Sequence, residues 1–211
     1  MSSEVKSNKL SPATGTALQI SDSGDTTTIP SGATLDVNGT LDVTGATVTG
    51  LSAGKVLQVV STTFNGNDST TANSFADTSL SQAITPSATS SKILILCSMT
   101  YGGAQDARPG FCIKRGSTEL NLGSATVPSA YGSRKLITTG WDYTEPGGMH
   151  TGSIIYLDSP STTSATTYTL AFMTRNGSYA PIVYLNRTGS DTDNSAHARG
   201  ASTLTLLEIE G

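Results

Sequence analysis

The feature that most restricts the fold of this chain is a short repeat near its N-terminus. The tripeptide Leu-Asp-Val at 35–37 recurs at 41–43, and a glycine follows each unit at Gly39 and Gly45. Each unit predicts a short strand with Leu and Val on one side and Asp on the other, closed by a glycine turn. Because such a unit cannot bury its apolar side alone, repeats of this length are typical of β-helices and intertwined shafts. Residues 29–54 are therefore predicted to form a repeat stem and linker.

The apolar side chains of the stem have no second layer in their own chain. Burial of so few side chains does not offset the backbone entropy that is lost when the segment becomes ordered, so we expect several copies to order one another. Three copies are the smallest arrangement in which an apolar edge from every chain meets on one axis, which predicts a homotrimer. The expected contacts in the stem are Leu35, Val37, Leu41, Val43, Val48 and Leu51.

Composition divides the chain into three regions. Residues 1–28 are polar and have no sustained apolar period, which is typical of an extended arm that becomes ordered only against a partner. With 211 residues, the chain holds one ordinary domain of about 100–200 residues plus an appendage. We predict an attachment arm at 1–28, the stem and linker at 29–54 and a head domain at 55–211.

In the head, short apolar segments alternate with turn signals, and strong helix formers are scarce. Thr, Val, Ile and Tyr favour a pleated, half-buried surface, whereas Gly, Asn, Asp and Ser favour turns. The pattern predicts an all-β head, a jelly-roll-like β-sandwich or a small barrel. The expected strands are Lys55–Thr63, Leu80–Thr85, Lys92–Tyr101, Gly110–Lys114, Leu136–Tyr143, His150–Leu157, Thr167–Thr174, Pro181–Arg187 and Thr203–Glu210.

Several of the expected strands are apolar on both faces. Ile93 and Ile95 alternate with Leu94 and Leu96 along one strand, although a strand of a sandwich needs only one buried face. We expect the second face to contact neighbouring subunits. The head residues predicted to lie at this interface are Ile154, Tyr156, Tyr168, Leu204 and Leu206.

Charge and hydropathy exclude several classes of partner. The formal net charge is −4, and no Lys/Arg cluster is longer than Arg134-Lys135, so the basic footprint of a nucleic-acid-binding protein is missing. There is no apolar leader and no run of about 18 apolar residues, so we expect synthesis in a cytoplasm without a signal peptide or membrane insertion. Cys97 and Cys112 lie in expected strands and are predicted to be buried free thiols rather than a disulfide.

The residues that could carry chemistry are few or wrongly placed. Gly50–Gly54 matches GxSxG, but it lies between a repeat and a strand, whereas a nucleophile elbow needs a strand-to-helix turn. His150 and His197 are the only histidines, so a histidine metal site would have to form across subunits. Asp191–Asn194 lacks the glycine and downstream glutamate of a helical calcium loop. We therefore predict a chain without enzymatic activity, metal or cofactor.

Two groups of residues bear on polysaccharide as a partner. The carboxyl groups of Asp142, Glu145 and Asp158 are scattered over short strands and loops, which argues against the paired carboxylates of a glycoside hydrolase. Aromatic and arginine side chains are enriched in recognition patches. The candidate receptor contacts in the expected loops are Tyr101, Arg108, Tyr131 and Arg134.

The stem and the head together resemble one class of protein. Thr28–Val37, followed by the second Leu-Asp-Val at 41–43, resembles the stem of tail-fibre and capsid-fibre proteins of marine and cyanobacterial bacteriophages. The likeness covers about residues 28–211. The head is similar to the globular head of the same proteins over a series of motifs in one order: Ile84-Thr85-Pro86, Ser90–Leu94, Tyr156–Pro160, Thr163–Tyr168, Val183–Arg187 and Ser202–Thr205.

The resemblance implies both a location and an assembly. Such heads are similar in layout to the trimeric jelly rolls of the complement and tumour-necrosis-factor types. The resemblance implies a structural protein on the exterior of the virion. It also implies a homotrimer that attaches to other tail or capsid proteins through residues 1–28. The expected function is attachment to the host surface, with a surface glycan as candidate ligand. The alternative is a decoration protein that stabilises or ornaments the capsid.

Overall fold

The structure of the chain is a computed structural model. The chain divides into two units, Met1–Leu51 and Ser52–Gly211. The residues that the structure describes are 20, 24, 26–41, 43, 55–120, 136–140, 144–174 and 181–211.

The described residues of the first unit form neither helix nor strand. They include a turn at 31–32, in which Gly32 has a φ of 83° and the backbone N–H of Ala33 donates to Pro30 O at 3.0 Å. The predicted repeat strands are thus not formed by 26–41 in a single copy. Val48, Leu51 and most of the arm at 1–28 lie outside the described residues, so the repeat stem stays a prediction about the assembled protein.

The described residues of the second unit are all-β. The chain enters this unit at β1 and leaves it after β11, and the connections are turns and loops. The strands are β1 (Val56–Phe64), β2 (Ser69–Thr70), β3 (Ala76–Ile84), β4 (Lys92–Gly103), β5 (Pro109–Arg115), β6 (Thr118–Leu120), β7 (Thr139–Gly140), β8 (His150–Asp158), β9 (Thr166–Thr174), β10 (Val183–Leu185) and β11 (Ser202–Ile209).

The strands form two antiparallel sheets. The larger sheet has six strands in the order β1-β11-β4-β10-β2, with β8 on the other edge of β4. The smaller sheet has five strands in the order β3-β9-β5-β6, and β7 also pairs with β5. The two sheets pack face to face as a β-sandwich.

Burial that alternates along the strands explains this packing. In β11 every second side chain from Ser202 to Glu208 is buried, and in β4 the same alternation runs from Ile93 to Tyr101. A period of two is what a strand gives when one face lies against a core. The core between the sheets is therefore built from one face of each sheet.

Most of the predicted head interface lies in this core. Leu204, Leu206 and Tyr168 are completely buried within one subunit, and Ile154 is 1% exposed. Tyr156 is half-buried and packs against the same core. Because these side chains face the opposite sheet of their own subunit, another copy cannot reach the four buried ones. The prediction that these four form a subunit interface is therefore corrected: they are core residues.

Candidate assembly interface

The outer face of the larger sheet carries side chains in rows that cross four adjacent strands. The rows follow from the pairing of β1 with β11, β11 with β4 and β4 with β8. We call the surface made by these three rows the open face. Its rows are Val59-Leu207-Leu94-Leu157, Ser61-Thr205-Leu96-Ile155 and Thr63-Thr203-Ser98-Ser153.

The open face is apolar at one end and hydroxyl-rich at the other. The apolar end is the one at which β1 begins. Towards the other end, Ser61 Oγ and Thr205 Oγ1 are 2.8 Å apart, and Thr63 Oγ1 and Thr203 Oγ1 are 3.3 Å apart. The hydroxyl groups of neighbouring strands thus form hydrogen bonds with one another. These bonds satisfy part of their hydrogen-bonding capacity without water.

Large apolar side chains of the open face are exposed to solvent. The exposed fraction is 69% for Ile155, 56% for Val59 and 47% for Leu157. The three rows contain no charged side chain, and Lys92 lies beyond them at the rim, paired with Ile209. Depletion of charge together with exposed apolar area is typical of the central part of a protein interface.

A shallow groove runs along the middle of the open face. Its volume is about 320 Å³. Side chains of both kinds line it, apolar ones from β4 and β8 and hydroxyl-bearing ones from β4, β8 and β11: Leu96, Ile155, Ser98, Ser153, Thr203 and Thr205. The groove gives the face a depression into which a side chain of a partner can fit.

The outer face of the smaller sheet is different. Cys112, Ala171 and Met173 point away from the core between the sheets, yet all three are buried. Ile137 lies over this area, because a methyl group added to Gly110 would come within 2.6 Å of Ile137 Cγ2. The subunit therefore covers the apolar part of this face with its own chain.

The remainder of the smaller sheet's outer face is polar. Lys114 Nζ and Asp77 Oδ1 form an ion pair at 2.6 Å between β5 and β3. Thr167 on β9 is exposed on the same face. A charged, hydroxyl-bearing surface of this kind is what a solvent-facing side of an antiparallel sheet normally shows.

The edge of the larger sheet at β8 is unusually regular. All nine residues of β8 pair with β4 without a register shift. The other edges among the described residues are short or irregular: β2 has two residues, β6 has three, and β1 and β3 each contain a register shift. β8 contains neither lysine nor proline, which are residues that natural proteins place on edge strands to prevent pairing with other chains.

Predicted stem contacts within the described residues are exposed. The exposed fraction is 64% for Leu35, 42% for Val37, 65% for Leu41 and 45% for Val43. Ile29, at the start of the repeat, is also exposed. A single copy therefore provides no burial for these side chains.

Behind the open face, a buried carboxylate fixes the end of β11. Glu208 points into the sandwich and is 1% exposed. Its Oε1 accepts hydrogen bonds from the backbone N–H and hydroxyl of Ser87 and from the hydroxyl of Ser91, and its Oε2 accepts one from Gln58. Burial alone would raise the pKa of Glu208, but these hydrogen bonds outweigh it and lower the pKa to about 2.

A second buried carboxylate joins the two sheets. Asp158 at the end of β8 accepts hydrogen bonds at 2.7 Å from Arg115 Nη1 and from the hydroxyl of Tyr168. Burial and the hydrogen bond to Asp158 both raise the pKa of Tyr168. Asp158, one of the carboxylates considered for hydrolysis, is thus engaged in a structural contact, while Glu145 is exposed on a loop and Asp142 lies outside the described residues.

Three loops meet at the end of the sandwich opposite the start of β1, and we call them the loop cluster: 104–108, 144–149 and 187–200. Asp106 N–H donates to Thr144 O at 3.0 Å, and Ser190 N–H donates to Pro146 O at 2.6 Å. A methyl group at Gly189 would overlap the carbonyl oxygen of Gly103. The cluster is therefore closely packed.

Charged groups hold the tip of the third loop. Asp191 Oδ2 pairs with Arg187 Nη1 at 3.0 Å and with Arg199 Nη2 at 2.7 Å. The Arg187 guanidinium also lies 3.9 Å from the centre of the Tyr184 ring. The pairing of both arginines with one aspartate depends on the fold of the loop, so the sequence alone does not show it.

The predicted receptor contacts do not come together. Tyr101 is 4% exposed and packs on Phe111 and His150, with ring centres 4.8 and 5.5 Å away. The prediction that Tyr101 contacts a receptor is therefore corrected, because its ring belongs to the core. Arg108 is half-buried within the loop cluster. Tyr131 and Arg134 lie outside the described residues.

Neither a metal-binding group nor similarity to known proteins indicates what the open face or the loop cluster binds. In the part of the chain that the structure describes, no group of three or more His, Cys, Asp or Glu side chains is placed to hold a metal ion. None of the described residues belongs to a helix long and apolar enough to cross a membrane. No known protein family matches the chain, and no curated protein is significantly similar to it.

Proposed function

We propose that this chain is a structural protein of a bacteriophage virion. It forms a homotrimeric fibre or knob on the exterior of the particle, with a jelly-roll-like head that attaches to the host surface. Residues 1–28 bind other virion proteins, and residues 29–54 form an intertwined stem. The protein acts by binding and assembly, without catalysis.

The observation that carries this proposal is the exposure of the stem. Leu35 and Leu41 are each more than 60% exposed, and 26–41 forms no strand in one copy. A repeat with so much apolar surface is stabilised when copies supply the missing layer. The stem is thus better suited to assembly than to an isolated subunit.

The head supports a role in display. The chain enters the head at the start of β1, and the loop cluster lies at the opposite end of the larger sheet. In a trimer joined by its stems, three loop clusters would be presented together. Weak contacts with a surface glycan would then reinforce one another, because the first contact makes the later ones intramolecular.

Location in the virion tests the proposal most broadly. An electron-microscopy map of the intact particle should show a few copies of this head at the tail. Copies at the symmetry axes of the capsid would instead indicate that the protein decorates the capsid and does not attach to the host. Absence of the protein from the particle would overturn the proposal.

The stem is tested by paired variants of the full chain. Leu35→Asp with Leu41→Asp should prevent trimer formation, because two carboxylates per chain would be buried on the shared axis. Thr34→Asp with Thr40→Asp adds the same charge at exposed neighbouring positions and should leave the trimer intact. Light scattering measures both, and equal behaviour of the two variants would contradict the intertwined stem.

Attachment is tested by binding of the full chain to host cells. Enzymatic removal of surface glycan should abolish binding, and Arg199→Ala in the loop cluster should weaken it, whereas Glu210→Ala at the other end of the head should not. Undetectable binding to untreated cells would exclude the attachment role.

A further inference from the structure

We propose that the open face, together with the edge of β8 that faces away from β4, is the surface on which a second copy of this chain packs. The inference rests on the proposed homotrimer and deepens it, because it assigns a head interface that is separate from the stem. It also replaces the interface predicted from sequence, whose buried members face the core.

The absence of charge on the open face favours a copy of the same chain as the occupant. The whole chain carries a net charge of −4, and a contact without charged groups adds no like-charge pair when two copies meet. The three rows of the open face contain only Val, Leu, Ile, Ser and Thr. A surface of this composition meets its own copy without like-charge repulsion, and it offers nothing to a strongly charged partner.

The dimensions of the open face fit a specific contact. Strands lie about 4.8 Å apart and rise about 3.4 Å per residue, so three rows of alternate residues across four strands present a face of roughly 19 by 20 Å. That is roughly 400 Å² in projection, to which protruding side chains add, and specific interfaces bury about 800 Å² per partner. The open face therefore supplies about half of the area of a specific contact, and the edge of β8 adds to it.

The edge of β8 is an independent observation that points to the same side of the head. From Thr151 to Leu157 it presents an unshifted strand with Ile154, Ile155 and Tyr156 in sequence. Long, regular apolar edges pair with other chains unless something covers them. A second copy that packs on β8 and the open face together covers both the edge of the strand and the exposed apolar side chains with one contact.

Ile155 is the expected anchor of the contact. It is the most exposed large apolar side chain among the described residues of the head, at 69%. It stands at the edge of the sheet and lines the groove together with Leu96 and Thr205. A protruding apolar side chain in a groove allows copies to interlock, and a few well-packed side chains carry most of the binding energy of an interface.

The stem makes a weak head contact sufficient. Once the stems have joined, the heads of one assembly are tethered near one another, and their contact becomes intramolecular. The open face then needs less affinity than two free subunits would require. This explains how a face that is half hydroxyl-bearing can serve as the contact.

Reaction of introduced cysteines with a maleimide tests the proposal in the full chain. Cys97 and Cys112 are buried, so the native thiols give little background. Ile155→Cys and Thr205→Cys place a thiol on the open face at two strands, and Thr167→Cys places one on the exposed outer face of the smaller sheet. The second open-face variant keeps the test valid if the first one fails to fold.

Light scattering of each variant accompanies the labelling. In a particle of trimer mass, the two open-face thiols should react roughly tenfold or more slowly than Thr167→Cys, because the contact must open first. Equal, fast labelling of all three in a trimer overturns this inference and leaves the proposed stem-joined trimer in place. A monomer mass at the highest protein concentration measured overturns the proposed function itself. Slow labelling in a monomer overturns the inference by showing that another part of the same chain covers the face.

Discussion

The outer faces of the two sheets both carry apolar side chains, but only one of them is covered by its own chain. Both sheets send one face into a common core, and both have apolar side chains on the other face. On the smaller sheet, Ile137 covers Gly110 and Met173 from the same chain. On the larger sheet, Ile155 and Val59 remain exposed. A strand with two apolar faces therefore indicates a second contact, but the chain that supplies this contact is a separate question.

The largest expected effect is on the free energy of unfolding, which should respond differently to variants on the two outer faces. Met173→Ala should lower the free energy of unfolding by about 3 kcal/mol at every protein concentration, because it leaves a cavity inside one subunit. Leu96→Ala on the open face should have an effect that grows with protein concentration, because it weakens only the assembled form. Urea unfolding at two concentrations measures both. Loss of stability by Leu96→Ala that does not depend on concentration would break the comparison.

Charge on the two faces should have a somewhat smaller effect. Ile155→Lys should raise the dissociation constant of the assembly by roughly 10–100-fold, because the ammonium group must be buried or must open the contact. Thr167→Lys on the smaller sheet serves as the control and should leave the constant unchanged. Analytical ultracentrifugation measures both variants. If the two behave alike, the open face is not the contact.

Acid should act on the subunit behind the open face. The folded pKa of Glu208 is about 2, below its ordinary value of 4.5, so its contribution is complete above pH 4.5 and is lost as the pH falls towards 2. Glu208→Gln should cost roughly 1–2 kcal/mol near neutral pH and flatten this dependence. Unfolding midpoints between pH 6 and pH 2 test it. An equally steep fall in the variant would show that other carboxyl groups dominate.

The smallest effect concerns the cover of the smaller sheet. Burial raises the pKa of Cys97 to about 12; burial, with a contribution from the nearby Glu119, does the same for Cys112. Both thiols should therefore be nearly inert in the folded protein. Ile137→Ala should speed the reaction of Cys112 with a disulfide reagent a few-fold through local opening and leave Cys97 unchanged. Mass spectrometry of the labelled peptides distinguishes them.

Sequence predicted the strands well where burial alternates over a long segment. The strand expected at Lys92–Tyr101 is β4, which continues to Gly103, and the one expected at His150–Leu157 is β8, which ends one residue later. β2 and β6 are too short to show a period and were not predicted. Of the strand expected at Leu136–Tyr143, the described part shows Thr139–Gly140.

Sequence could not decide which apolar face of β11 belongs to the core. Leu204 and Leu206 stand on the same face as Glu208, and an ionised side chain normally marks the solvent side. Here Glu208 is buried, and its hydrogen-bond partners lie between 117 and 150 residues away in the chain. Asp158 likewise obscures the inner face of β8, because this buried carboxylate lies on the same face as Ile154. Only tertiary contacts that satisfy the carboxylates reveal the inner face.

The sequence predicts that a second apolar face exists, but it does not predict which residues form it. The two-sided strands indicated a contact beyond the core, and that part of the interpretation remains the basis of the proposal. The burial of Tyr101 was not predictable, because it depends on stacking with Phe111 and His150 after the sheet has formed.

Amide hydrogen exchange along β8 is the most direct test of the open face as a contact between copies. It should be measured at one concentration at which light scattering gives a trimer and at another at which it gives the 21.6 kDa monomer. We predict that residues 151–157 exchange more slowly in the trimer, while β3 and β9 of the smaller sheet exchange equally in both. Exchange along β8 that is the same in trimer and monomer would contradict the account.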